Sequence, residues 1–358
     1  MVAWRALRLK TRVQRLRDGV VKNRVHEYAA RPMRVLVVTS MYPTPARPEL
    51  GVFVRDQVEA LRAMDGVEIE VFVIEPDGPG RWLRAAREVR QAHGGERFDV
   101  VHAHHGLSGW SALAVGGAPH VVTFHGTDVA HPVVGRMSRT LARLIALAAP
   151  VSGRLARELL RADTRRAPSA GHRRAVLPCG VNLDRFNRRD RREARARLGL
   201  EPDGRYLLFP AAPARPEKRY DRARAVAEAA GAELLTYGGL TPEQVTDAVN
   251  AVNAVVATSE REGFGLAPLE ALACDVPVLS TDVGVAPIAL RGIQGALCAP
   301  FEVERWLQVL RPHLDDPDPR VDGRARAALF ASDRLAARVL EAYRELAPES
   351  DRPAGQDR

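Results

Sequence analysis

From Met33 onward, short apolar runs alternate with segments whose apolar residues recur every three or four positions. The runs RVLVVTS (34–40), VEIEVFVI (67–74), DVVHAH (99–104), HVVTFH (120–125) and RAVLPCG (174–180) predict strands. Between them FVRDQVEALRAM (53–64) puts Val54, Val58, Leu61 and Met64 on one side, and VSGRLARELLRA (151–162) is a second helix. The rhythm then repeats. RYLLFPAA (205–212), AELLTY (232–237), AVVATS (254–259) and VPVLS (276–280) read as strands. KRYDRARAVAEAA (218–230), TPEQVTDAVNAV (241–252, capped by Thr241), 301–313 and 333–347 read as helices. The arginine-rich stretch 185–197 reads as a solvated helix.

Strands separated by helices imply βαβ units and parallel sheets, and 358 residues exceed one core of ordinary size. The expected architecture is α/β, with two doubly wound Rossmann-like domains facing a cleft. Ligands are expected there, at the carboxyl ends of the strands. The domains are expected at 33–170 and 171–332. A basic extension, 1–32, precedes them. A helix from 333 packs back on the first domain and a tail runs to 358.

Composition narrows the class. No run reaches the ~18 apolar residues of a membrane span, and the first residues lack a signal-peptide hydrophobic region. Cys179, Cys274 and Cys298 form no C-x-x-C pair, so neither a zinc site nor a disulfide framework is expected, and a cytoplasmic protein fits best. The net charge is +9, but nine basic and two acidic residues before Met33 account for +7 of it. The excess therefore belongs to the extension. It reads as a solvated segment or, with Leu9, Val13, Leu16 and Val20 on one face, as a helix meeting an anionic membrane on its inner face. Between Arg5 and Arg24 no aromatic residue interleaves the charges as a nucleic-acid platform requires, so no nucleic-acid partner is expected.

The stretch SEREGFGLAPLEALACDVP (259–277) carries the most chemistry. A turn holding Glu262, Gly263 and Gly265 runs into an apolar helix, whose first N–H groups and dipole suit a diphosphate. Glu270, two turns in, can accept hydrogen bonds from vicinal hydroxyls such as those of a ribose. TFHGTDV places His125 and Asp128 around Gly126 at a strand end, where they can meet sugar hydroxyls or developing charge; a turn-capping Asp is the plainer alternative. DVVHAHHG supplies His102, His104 and His105, but strand alternation and the lack of a carboxylate partner argue against a metal, and His104 or His105 could line the cleft. In PARPEKRYD, Arg215 and Lys218 follow a strand and could neutralise a leaving diphosphate. Gly51 opens the first helix after the loop 41–51, where a bare backbone lets phosphate or sugar approach.

EGFGLAPLE resembles the E-x7-E signature of retaining GT-B glycosyltransferases of family 4. TFHGTDV resembles that family's H-G-x-D element, and LPCGVNLDRF (177–186) resembles its interdomain segment, with Asn182 where Asp is usual. TSMYPTPARPELGVFVRDQV is similar to the branch that builds cell-surface polysaccharides, teichuronic-acid transferases included. Departures are a single Gly51 in place of a glycine pair and R-x2-K in place of R-x4-K. The span between Lys218 and Glu262 is also short, implying a second domain abridged by one βα unit. The resemblance implies a GT-B fold and transfer from a nucleotide sugar, UDP-linked rather than GDP-linked, to a polysaccharide or lipid-linked acceptor. Glu270 would hold the ribose. Gly51, Arg215, Lys218 and the backbone of Gly263, Phe264, Gly265 and Leu266 would hold the rest of the donor. Glu262, His125 and Asp128 would serve catalysis. No cofactor or divalent metal is implied. The other readings are a non-catalytic nucleotide-sugar-binding module and an isomerase or hydrolase on the same fold.

Overall fold

The computed structural model describes residues 31–75, 78, 80–160 and 173–347. Residues 1–30 of the basic extension, the expected domain boundary at 170/171 and the tail beyond 347 lie outside them. In the first half β1 (Met33–Thr39), β2 (Val67–Val73), β3 (Val100–His104), β4 (His120–Phe124), β5 (Leu147–Pro150) and β6 (Arg173–Arg174) form one parallel sheet in the order β2-β1-β3-β4-β5-β6. In the second half β7 (Tyr206–Phe209), β8 (Glu233–Thr236), β9 (Ala254–Ala257), β10 (Val278–Ser280) and β11 (Leu297–Cys298) form a parallel sheet in the order β11-β10-β9-β7-β8. Six strands against five matches the short span between Lys218 and Glu262, which holds only two helices and β8 and β9.

Parallel strands are buried on both faces, which is why β1, β3 and β4 read as near-continuous apolar runs. One face of the first sheet, with Val35, Val37, Val100 and Val121, is covered by the helices Val52–Arg62 and Ser332–Leu346. The latter contributes Ala336, Val339, Leu340 and Tyr343, so the last described helix completes the core of the first half. In the second half the helices Tyr220–Ala230 and Val303–Asp315 cover one face around Leu207, Val256, Leu279 and the fully buried Trp306. No described helix is long and apolar enough to cross a membrane.

Two expectations fail here. RAVLPCG does not run as a strand to Gly180: Arg173–Arg174 pair with β5 of the first sheet, the N–H groups of Ala175 and Leu177 donate on to the carbonyls of Ala148 and Pro150, and Val181 then bridges Ala331. The arginine-rich stretch yields the helix Arg191–Leu198, but it is not simply solvated. Arg191 and Arg195 are each 3% exposed, and their guanidinium groups donate to the carbonyls of Pro319 and Ala251, among others. Arginine can be buried when its donors find fixed acceptors, and charge content alone does not reveal that.

Candidate active site

The carboxyl ends of both sheets face a cavity of about 910 Å³ between the halves. On the first-half wall Gly51 takes φ 67 before the helix Val52–Arg62, and an added Cβ would lie 2.2 Å from the Met41 carbonyl. That position needs glycine for both conformation and space. The ring of Phe53, two residues on, stands 5.2 Å from the ring of His125, which follows β4 and lines the cavity. His104 Nδ1 lies 3.1 Å from His125 Nε2, and Cys179 Sγ lies 4.0 Å from His125 Nδ1. Burial, reinforced by His104 and then His105, holds the His125 imidazole well below its ordinary range, so the ring is neutral.

Asp128 is placed differently from expectation. It is fully buried; Oδ1 accepts from the N–H groups of His125 and Gly126, and Oδ2 accepts from Gly106 N–H. With those contacts its carboxylate orders the loop and is not aimed at the cavity. The plainer alternative, a turn-capping Asp, is the one the geometry follows. Of the three neighbouring histidines, His102 and His104 are buried beneath the site, and His105 caps the helix Gly106–Ala112. Among the described residues the group with metal-ligand spacing is Glu70, His93 and Glu96. None of these lines the cavity, and Arg34 already binds both carboxylates.

On the second-half wall Lys218 Nζ donates to Glu262 Oε1 at 2.6 Å, and Ser259 Oγ donates to the same oxygen at 2.7 Å. Arg215 lines the cavity too, but it is half exposed and pairs with Glu217 at 2.7 Å. Gly263 packs backbone against backbone across the cleft: a Cβ there would lie 1.7 Å from the His125 carbonyl oxygen. Gly265, at φ 79, leads into the helix Ala267–Ala273. The Phe264 side chain belongs to the core, facing Phe330, so only its backbone is offered to a ligand. Glu270 lines the cavity and accepts from Tyr237 Oη–H at 3.3 Å. Burial pushes its carboxyl up to about 7, against the pull of Arg185 and Tyr237.

Residues 20–185 match the model of Glycosyltransferase Family 4, and residues 214–329 match that of Glycosyl transferases group 1. These are 166 and 116 residues, 282 of the 358 together. The D-inositol 3-phosphate glycosyltransferases of Mycobacterium avium and Mycobacterium tuberculosis are 32% and 33% identical over 206 and 208 residues, each alignment covering 47% of this chain. Sucrose-phosphate synthase from Thermosynechococcus elongatus superposes with a TM-score of 0.66 at 19% identity, over 88% of this chain and 99% of that one. Anabaena HepE, solved with UDP and glucose, gives 0.65 at 17% identity, over 88% and 100%. The chain belongs to the GT-B glycosyltransferases of family 4.

This family 4 chain spans about half the length of the curated relatives it matches, which it covers to 48% and 43%. The structure thus gathers His125, Gly51, Arg215, Lys218, Glu262, the 263–266 backbone and Glu270 around one cavity, and withdraws Asp128 into the loop. It also adds residues that the sequence reading missed. Tyr237, just past β8, bonds Glu270. Arg185, in the interdomain segment, lines the cavity and is clamped by Asp56 of the first half through two bonds of 3.1 and 2.7 Å. Tyr237 stood at a strand's carboxyl end, the place where such sheets put ligand contacts, so a signal existed. Nothing in sequence links Asp56 to Arg185.

Proposed function

We propose that this chain transfers a sugar, with retention at the anomeric carbon, from a nucleoside diphosphate sugar to a polysaccharide or lipid-linked acceptor. The observation that carries the reading is the convergence of Lys218, Glu262, Glu270 and His125 on one cavity between the halves. A UDP-sugar is the favoured donor, since similar folds include Anabaena HepE solved with UDP and glucose or with UDP-glucose. Glu270 accepts the ribose hydroxyls. Lys218, Arg215 and the N–H groups of 263–266 take the diphosphate, whose arrival separates Lys218 from Glu262 and frees that carboxylate for the sugar hydroxyls.

Departure of the diphosphate leaves an oxocarbenium-like carbon next to His125, stabilised by groups already in place. The leaving phosphate oxygen takes the acceptor's proton on the same face as attack occurs, so retention needs no protein nucleophile. Lys218 and the backbone donors carry the diphosphate charge, and the route calls for no metal ion. Calorimetric titration of wild type and Glu270→Ala with UDP and with GDP tests the donor site. UDP binding that is lost in the variant supports the reading. Binding of neither nucleotide by wild type points to a non-catalytic module.

A further inference from the structure

The three histidines of DVVHAHHG have no part in that route, yet two of them sit at the centre of the first half. Burying an imidazole is costly unless both of its nitrogens are usefully placed. His102 is fully buried, with Nδ1 2.5 Å from Tyr343 Oη and Nε2 2.7 Å from Thr123 Oγ1. Its ring centroid is 4.4 Å from that of His104, which is 1% exposed and bonds His125 Nε2 at 3.1 Å. A stack of polar side chains therefore runs from the helix Ser332–Leu346, through the sheet, to the ring at the cleft.

We propose that His104 is a positioning residue for His125, holding Nε2 beneath the site so that Nδ1 is the nitrogen offered to the cleft, with the Tyr343–His102–Thr123 bonds fixing His104 in turn. The inference rests on the reading of His125 beside the reacting carbon. Both imidazoles are neutral, so each carries one N–H and one lone pair. The Cys179 thiol, pushed up to about 12 by burial, stays protonated, and in the proposed arrangement it donates toward His125 Nδ1, 4.0 Å away. His125 then carries its proton on Nε2 and donates it to His104 Nδ1. The Nδ1 lone pair faces the cleft, where a sugar hydroxyl can take the place of the thiol. The tautomer at one nitrogen is set by the bond at the other.

The test is 15N histidine NMR of the full chain, which reads the tautomer with no substrate present; His125→Gln assigns the signal. Wild type should show protonated Nε2 and bare Nδ1 at His125. His104→Leu, and His104→Gln as a second variant that fills the volume without reaching Nδ1, should give a mixture. His104→Asn, whose Oδ1 falls near the Nδ1 position, should restore the wild-type form. With UDP-glucose as probe, His104→Leu should slow UDP release roughly 10- to 100-fold, the loss found when a residue orienting a metal-ligating histidine is removed. UDP affinity should stay within about twofold, and Asn should recover most of the rate. An unchanged His125 tautomer in both the Leu and Gln variants overturns the proposal. Undiminished UDP release by His125→Ala would instead overturn the reading of His125 and leave the tautomer result standing.

Discussion

At the scale of single residues, Glu270 is the most consequential group. Burial holds its carboxyl up at about 7, whereas in the proposed function it accepts two ribose hydroxyls as the carboxylate. Below pH 7 the free protein keeps a proton that nucleotide binding must expel. Affinity for UDP should therefore rise with pH up to about 7 and level off above it, falling roughly tenfold per unit on the acid side. Calorimetry between pH 5.5 and 8.5 reads this directly, and Glu270→Gln should bind weakly with a flat profile. Asp128 makes the opposite kind of contribution. Its oxygens hold two backbone N–H groups of the His125 loop and that of Gly106 after β3, so Asp128→Ala should lower turnover through a displaced His125 while UDP affinity changes little. Equal losses in both quantities would return Asp128 to the ligand.

At the scale of elements, the site depends on turns whose glycines are spatial necessities. Gly263 touches the His125 carbonyl across the cleft, and a methyl there cannot fit without parting the two halves. Gly263→Ala should fold with near-normal melting yet lose most activity, which comparison of thermal melting with UDP release from UDP-glucose would check. Gly51→Ala combines φ 67 with a Cβ only 2.2 Å from the Met41 carbonyl and should cost about 2–3 kcal/mol, measured by denaturant unfolding. These same elements show what sequence could convey. Strands β1, β3 and β4 announced themselves because buried parallel strands are uniformly apolar, and their ends fixed where His125 and Gly51 would lie. Strand β5, Leu-Ala-Ala-Pro, lacks β-branched residues and went unseen. Asp128 was ambiguous because a carboxylate after a strand can cap a turn or face a ligand, and only packing decides. The helix Arg191–Leu198 misled for a related reason: its buried guanidinium partners are backbone carbonyls remote in sequence.

At the scale of the whole molecule, the halves are joined by more than the cavity. Asp56 grips Arg185, Val181 N–H donates to the Phe330 carbonyl, and Ser332 N–H donates to Val181. The helix that follows then returns to the first sheet. Val339, Leu340 and Tyr343, which join its core, are each 4% exposed or less. At about 1.5–3 kcal/mol per buried large side chain, three of them reach the lower part of the 5–15 kcal/mol that typically separates folded from unfolded protein. Deleting residues from 332 onward should therefore leave the first half unstable, with early proteolysis between β1 and β6 while the second sheet persists. That return has a consequence in time. A ribosome making about 5–20 residues per second finishes β6 on the order of ten to thirty seconds before it finishes the helix that covers the same sheet. The first half emerges first and is sealed last, so during synthesis the part of its valine-rich face that the helix Ser332–Leu346 will cover, beside the helix Val52–Arg62, stays open to whatever chaperone reaches it.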